Sequence, residues 1–183
     1  MVYLFLADGF EECEALVPLD ILRRGNIQVK TVGIGKDYIN GSHGITVKAD
    51  IRETDVKPDE DLQAVILPGG MPDTTNLENS DTVRKAIEFA NNKNKLICAI
   101  CAAPKILGGM GLLTGKSATC FPGFEGDLSG AELSEDFVVK DENIITAKGA
   151  GAAFPFGFKI LENLTDKETV NRLKSQMQYT AEV

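Results

Sequence analysis

The chain predicts an α/β fold: a mostly parallel sheet with helices on both faces. Three observations carry this expectation. Short continuous apolar runs at residues 2–7, 64–67 and 96–100 have the length of strands buried on both faces. Segments with apolar residues at helical spacing alternate with them, as in a parallel sheet whose crossovers are helices. At 183 residues, 43% hydrophobic and 25% charged, the chain can bury one sizeable core, and residues 1–183 read as a single domain.

In chain order, the strand at 2–7 ends at Asp8-Gly9-Phe10. A helix follows, with Glu11, Glu12 and Glu14 at its start and Arg23, Arg24 and Gly25 at its end, each charge complementing the helix dipole. Pro18 lies inside this helix and predicts a kink. Residues 27–34 alternate as a second strand, and the turn residues 40–44 with residues 45–48 form a hairpin. Residues 51–62 read as acidic and irregular before the strand at 64–67, which Pro68-Gly69-Gly70 closes. Ser80 or Asp81 caps a helix through Asn91. The central strand at 96–100 turns at Cys101 into a helix opened by Pro104 and stopped by Gly108 and Gly109. Residues 116–121 form a further strand, and residues 137–140 and 144–147 a second hairpin. An apolar stretch at 152–164 and an amphipathic helix opened by Asp166 complete the chain.

Net charge −8 argues against a nucleic acid or an anionic membrane surface as the main partner. No apolar run approaches membrane-spanning length, and residues 1–8 lack the charged start of a secretory signal, so the expected compartment is the cytoplasm. The four cysteines are then expected to be free thiols. Cys98 and Cys101 spell C-x-x-C, a redox or zinc spacing. Cys98 lies within the proposed strand, however, and three strand steps separate the two Cα atoms by roughly 10 Å, beyond disulfide reach. A zinc site would need distant ligands, with one histidine to draw on.

Cys101 is the candidate nucleophile. Ala99 and Ala103 flank it as glycines flank the serine of a nucleophile elbow, and the helix N–H groups beyond it favour a thiolate. The competing reading is a buried structural cysteine. Gly69 and Gly70 allow backbone N–H groups to approach a ligand, and the Ala102 N–H is the other natural donor for an oxyanion. His43 sits in turn chemistry and reads as an exposed loop residue. That leaves Glu11, Glu12 and Glu14 as proton partners. Two of them read as a solvated helix start, whereas Glu14 lies among Cys13, Ala15, Leu16 and Val17, where burial would raise its pKa.

Three stretches in this order and spacing, Asp8-Gly9-Phe10-Glu11-Glu12-Cys13-Glu14, Leu67-Pro68-Gly69-Gly70 and Ala99-Ile100-Cys101-Ala102-Ala103-Pro104, resemble the DJ-1/ThiJ/PfpI superfamily, in its DJ-1-like branch. The resemblance implies a flavodoxin-like three-layer sandwich and a homodimer. It also implies an oxidation-sensitive elbow cysteine paired with a protonated glutamate, here Cys101 and Glu14, with Gly69, Gly70 and Ala102 as backbone donors. His43, aligned with an interface arginine, and Arg23 and Arg24 would face the partner subunit. Two positions depart from the family pattern. Ala102 replaces the histidine of the peptidase members, and Phe121 replaces a histidine that precedes the proline in many DJ-1-like members.

The function this implies is a cysteine-dependent enzyme acting on small reactive carbonyls such as methylglyoxal, glyoxalase- or deglycase-like, with no cofactor and no metal. The alternative is a non-catalytic oxidative-stress sensor or chaperone dimer. A thiol amidase or peptidase is the weaker alternative, because its histidine is missing.

Overall fold

A computed structural model describes residues 1–180. Its strands and helices, in order, are β1 (Val2–Leu6), α1 (Glu12–Arg24), β2 (Val29–Gly33), β3 (Tyr38–Asn40), β4 (Thr46–Lys48), β5 (Ile51–Arg52), β6 (Ala64–Leu67), α2 (Asp73–Glu78) and α3 (Asp81–Asn92). Then follow β7 (Leu96–Ile100), α4 (Pro104–Gly109), β8 (Ser117–Ala118), β9 (Glu132–Leu133), β10 (Val138–Asp141), β11 (Ile144–Ala147), α5 (Ala153–Leu164) and α6 (Lys167–Gln176).

A seven-stranded sheet runs β10-β11-β7-β6-β1-β2-β5. Every pairing in it is parallel except β10 with β11. Setting the edge strands β5 and β10 aside, the parallel strands taken in chain order lie 2-1-3-4-5, the flavodoxin-like order. Period-2 alternation sorts the side chains to two faces. Val2, Leu4, Leu6, Ile66, Cys98 and Ile100 meet α1, α5 and α6 on one face. Tyr3, Phe5, Val65, Leu67, Ile97 and Ala99 meet α3 and α4 on the other.

Both hairpins, the central strand and the α4 boundaries match the sequence expectation; three elements differ. Residues 51–62 are not wholly irregular, because Ile51–Arg52 adds a parallel edge strand beside β2. The expected strand at 116–121 shrinks to Ser117–Ala118, paired with β9 outside the main sheet. Beyond it, Thr119 N–H donates to the Thr146 hydroxyl instead of to a backbone ladder. Helix α2 has no counterpart in the sequence reading, its six residues being too few to show a helical period. Helix α1 runs through Pro18 from Glu12 to Arg24, and Pro18 supplies no N–H to the Glu14 carbonyl one turn earlier.

No helix among the described residues is long and apolar enough to cross a membrane. In this strand order β1 and β6 flank the point where the chain reverses direction across the sheet, and ligands bind at the carboxyl ends there. Cys101, after β7, stands one strand away.

Candidate active site

Cys101 is held at φ +66°, a left-handed conformation that a non-glycine residue adopts at a cost of about 1–3 kcal/mol. Its N–H donates to the Ala147 carbonyl of β11 at 2.9 Å, and its carbonyl accepts from Phe121 N–H at 2.8 Å. These bonds, with Pro104 opening α4, keep the turn sharp and leave the thiol part-exposed beyond the sheet edge.

The Glu14 carboxyl faces this thiol at hydrogen-bonding range. Glu14 is 1% exposed, and burial pushes its pKa up to about 7. The Cys101 thiol and the N–H groups of Gly69 and Ala150 pull it down, and the neighbouring Glu11 charge pushes it up. Burial likewise pushes the Cys101 thiol up, to about 12, and the Glu14 carboxyl pushes in the same direction. The N–H groups of Ala102 and Gly70 hydrogen-bond to the sulfur and pull the other way. Burial and the Glu14 carboxyl thus oppose the pull toward thiolate that the N–H groups at the helix N-terminus exert. The two groups form one unit, in which a proton on Glu14 relieves the charge that holds the thiol up.

The three glycine and alanine donors divide between the two partners. Gly70 and Ala102 serve the sulfur. The Gly69 N–H is taken by Glu14 Oε2 at 2.9 Å, so Gly69 orients the acid and is not free for an oxyanion. Gly69 and Gly70 must also be small. A Cβ on Gly69 would stand 2.6 Å from Cys101 Cβ and 2.7 Å from Glu14 Oε2, and one on Gly70, at φ +99°, would stand 2.3 Å from the Gly9 carbonyl oxygen.

Glu11 and Glu12 are not the solvated helix start expected from sequence. Glu11 caps α1, its Oε2 accepting from Glu14 N–H at 2.8 Å, while its own N–H donates to the Gly69 carbonyl at 2.9 Å. Glu12 is 6% exposed and accepts from His43 N–H at 2.8 Å, and its other oxygen meets His43 Nδ1 at 2.9 Å. Burial alone would raise the Glu12 pKa; the His43 side chain and backbone overcome it and hold the carboxyl at about 2. His43 is exposed as expected, but it is tied to its own chain's α1. Oxygen and nitrogen atoms of Glu11, Glu12 and His43 lie within 4.8 Å of one another, so among the described residues this group could meet a cation, although its members already pair among themselves. Arg23 and Arg24, at the far end of α1, pair with Asp50 and Asp20.

Of the remaining thiols, Cys98 is fully buried and free, with its pKa raised by that burial, and it makes no disulfide with Cys101. Cys120 packs into the core on the other sheet face, and Cys13 is exposed on α1. Sequence reasoning missed Asp73. It is 0% exposed, its Oδ1 accepts from Ala7 N–H at 2.6 Å, and its Oδ2 has no partner. Burial holds its pKa well above the usual carboxylate range; the Ala7 N–H opposes this and the Glu14 charge adds to it. An aspartate directly after Pro72 carries no sequence signal of burial.

Residues 1–163 fit the DJ-1/PfpI family. The chain belongs to that family. It is 32% identical to the Parkinson disease protein 7 homolog of Danio rerio, over 94% of this chain and 93% of that one. It is also 32% identical to a Caenorhabditis elegans protein named glutathione-independent glyoxalase DJR-1.2, over 89% of this chain and 87% of that one. The solved structure of oxidised Toxoplasma gondii DJ-1 superposes with a TM-score of 0.93 at 30% identity, covering 98% of both chains.

Proposed function

We propose that this DJ-1/PfpI protein is a cysteine-dependent enzyme that converts small α-oxoaldehydes, methylglyoxal among them, into hydroxy acids. The observation that carries this reading is the pairing of Cys101, at φ +66°, with a buried Glu14 whose pKa is about 7. A group poised near neutrality can both give and take a proton at working pH. Cys101 Sγ adds to the aldehyde carbon, and its proton passes through Glu14 to the new oxygen, giving a hemithioacetal. Gly70 and Ala102 N–H groups steady the charge that develops. Glu14 then removes the proton from that carbon and returns one to the adjacent carbon, leaving a thioester that water hydrolyses. The net change is an internal redox shift plus one water, so no external oxidant or cofactor enters. Activity on glycated amines, the deglycase variant, would use the same adduct. Ala102, at the position where peptidase members carry histidine, speaks against amide hydrolysis.

The test is lactate formation from methylglyoxal with Cys101→Ala as control. Turnover that survives Cys101→Ala would overturn the assignment. Selective oxidation of Cys101 by peroxide, with no turnover in the unaltered protein, would select the sensor reading instead.

We also propose a homodimer across the outer face of α1. There Cys13, Leu16, Val17, Ile45, Phe154 and Met177 line an apolar groove beside the Glu12–His43 pair.

A further inference from the structure

We propose that the Phe121 ring forms one wall of a subsite beside Cys101 that favours α-oxoaldehydes bearing an aromatic group over methylglyoxal. This deepens the carbonyl reading above and rests on it.

Phe121 is a large apolar side chain left 47% exposed. Exposure alone means little, since single exposed apolar residues are ordinary. Its placement is what matters. The Phe121 backbone is pinned to the nucleophile's own carbonyl by the 2.8 Å bond from its N–H. Its ring is held on the acid's side of the site: the point a Gly149 Cβ would occupy lies 3.2 Å from Phe121 Cδ2 and 3.7 Å from Glu14 Oε1. Glycine at 149 thus lets the ring lie against the backbone next to Glu14 Oε1, and any larger residue there would crowd it. The neighbouring Ala150 N–H also bonds to Glu14, so the loop that seats the ring is the loop that orients the acid.

A phenyl ring neither gives nor takes a proton, so Phe121 adds no acid–base step. It offers apolar area and a π face to whatever hangs from the carbon that Cys101 attacks. A methyl substituent is too small to cover such a ring, whereas an aryl group on the adjacent carbonyl can stack against it. An aromatic contact of this kind corresponds to about three- to tenfold in relative rate.

The experiment compares kcat/KM for phenylglyoxal with that for methylglyoxal in the unaltered protein, Phe121→Ala and Phe121→Leu. The ratio should fall three- to tenfold in Phe121→Ala and less in Phe121→Leu, which keeps apolar bulk and guards against loss of fold. A second readout does not need turnover: alkylation of Cys101 by 2-bromoacetophenone and by bromoacetone, each rate normalised to N-acetylcysteine. In that reaction the thiolate forms a C–S bond as the C–Br bond breaks and bromide leaves, and mass spectrometry locates the adduct. The same fall in ratio is expected. If neither aldehyde turns over but the alkylation ratio falls, the subsite stands and the enzymatic reading fails. If both aldehydes turn over and neither ratio changes, the enzymatic reading stands and the subsite is overturned. If nothing turns over and the alkylation ratio is also unchanged, both fail.

Discussion

At the scale of single residues, Cys101 and Glu14 titrate together, and this sets a pH dependence. The proposed active form carries one proton shared between them, so kcat/KM should rise with pH through about 7 as the pair loses its first proton. Glu14→Gln keeps a hydrogen-bond donor but cannot shuttle a proton. It should lower kcat by about 10²-fold or more and erase that inflection in the pH–rate profile. Stability moves the other way. Because the folded pKa of Glu14 is raised, to about 7, the contribution of its neutral form is fully present below the usual 4.5 and lost as pH rises through 7. Glu14→Gln should therefore gain melting temperature over the unaltered protein at pH 8 and not at pH 4, read by calorimetry at both. Asp73 offers a contrast, since it acts through one accepted bond from Ala7. Asp73→Ala leaves that buried N–H unpaired and should cost about 1–3 kcal/mol in urea denaturation, while Asp73→Asn, which keeps an acceptor, should cost less.

At the scale of elements, α1 does three tasks from four consecutive positions. Glu11 caps it, Glu12 anchors the β3–β4 turn, Cys13 faces outward, and Glu14 enters the site. The turn lies directly on the acid: a Cβ on Gly41 would stand 2.3 Å from Glu12 Oε1. Glu12→Ala should speed hydrogen exchange at the His43 and Ile45 amides at least tenfold, and should leave exchange in β7 unchanged. With its folded pKa held at about 2, Glu12 stabilises fully above the usual 4.5 and loses that effect as pH falls through 2. The turn should thus loosen in acid before the central sheet does.

For the whole molecule, the sheet order places the ends of β1, β6 and β7 side by side, which is why residues far apart in the chain converge on one thiol. The proposed dimer uses the opposite side of α1 from Glu14. Light scattering at micromolar concentration should give about twice the 19.7 kDa chain mass. Leu16→Glu, placing a charge in the apolar groove, should return the monomer mass without loss of helical signal. A monomer mass for the unaltered chain would remove the dimer proposal.

The sequence by itself determined the layered α/β architecture and the elbow. Both rest on local patterns: apolar runs of strand length, helical spacing between them, and Pro104 and paired glycines at fixed offsets from Cys101. It also singled out Glu14 as the glutamate that burial would reach, because its immediate neighbours are apolar. Only the tertiary structure decided how the donors are shared, with Gly69 turned to Glu14 while Gly70 and Ala102 serve the sulfur. The same holds for Glu12 under the hairpin, Asp73 under the end of β1, and the Phe121 ring beside Gly149. Apart from Ala102, which adjoins Cys101, each of these depends on a partner 28 residues or more away in the chain, and local pattern carries no record of it. The surroundings of the Cys101 thiol divide in the same way. A helix N-terminus is legible in sequence, but the depth of burial that opposes its pull is set by every layer packed around it.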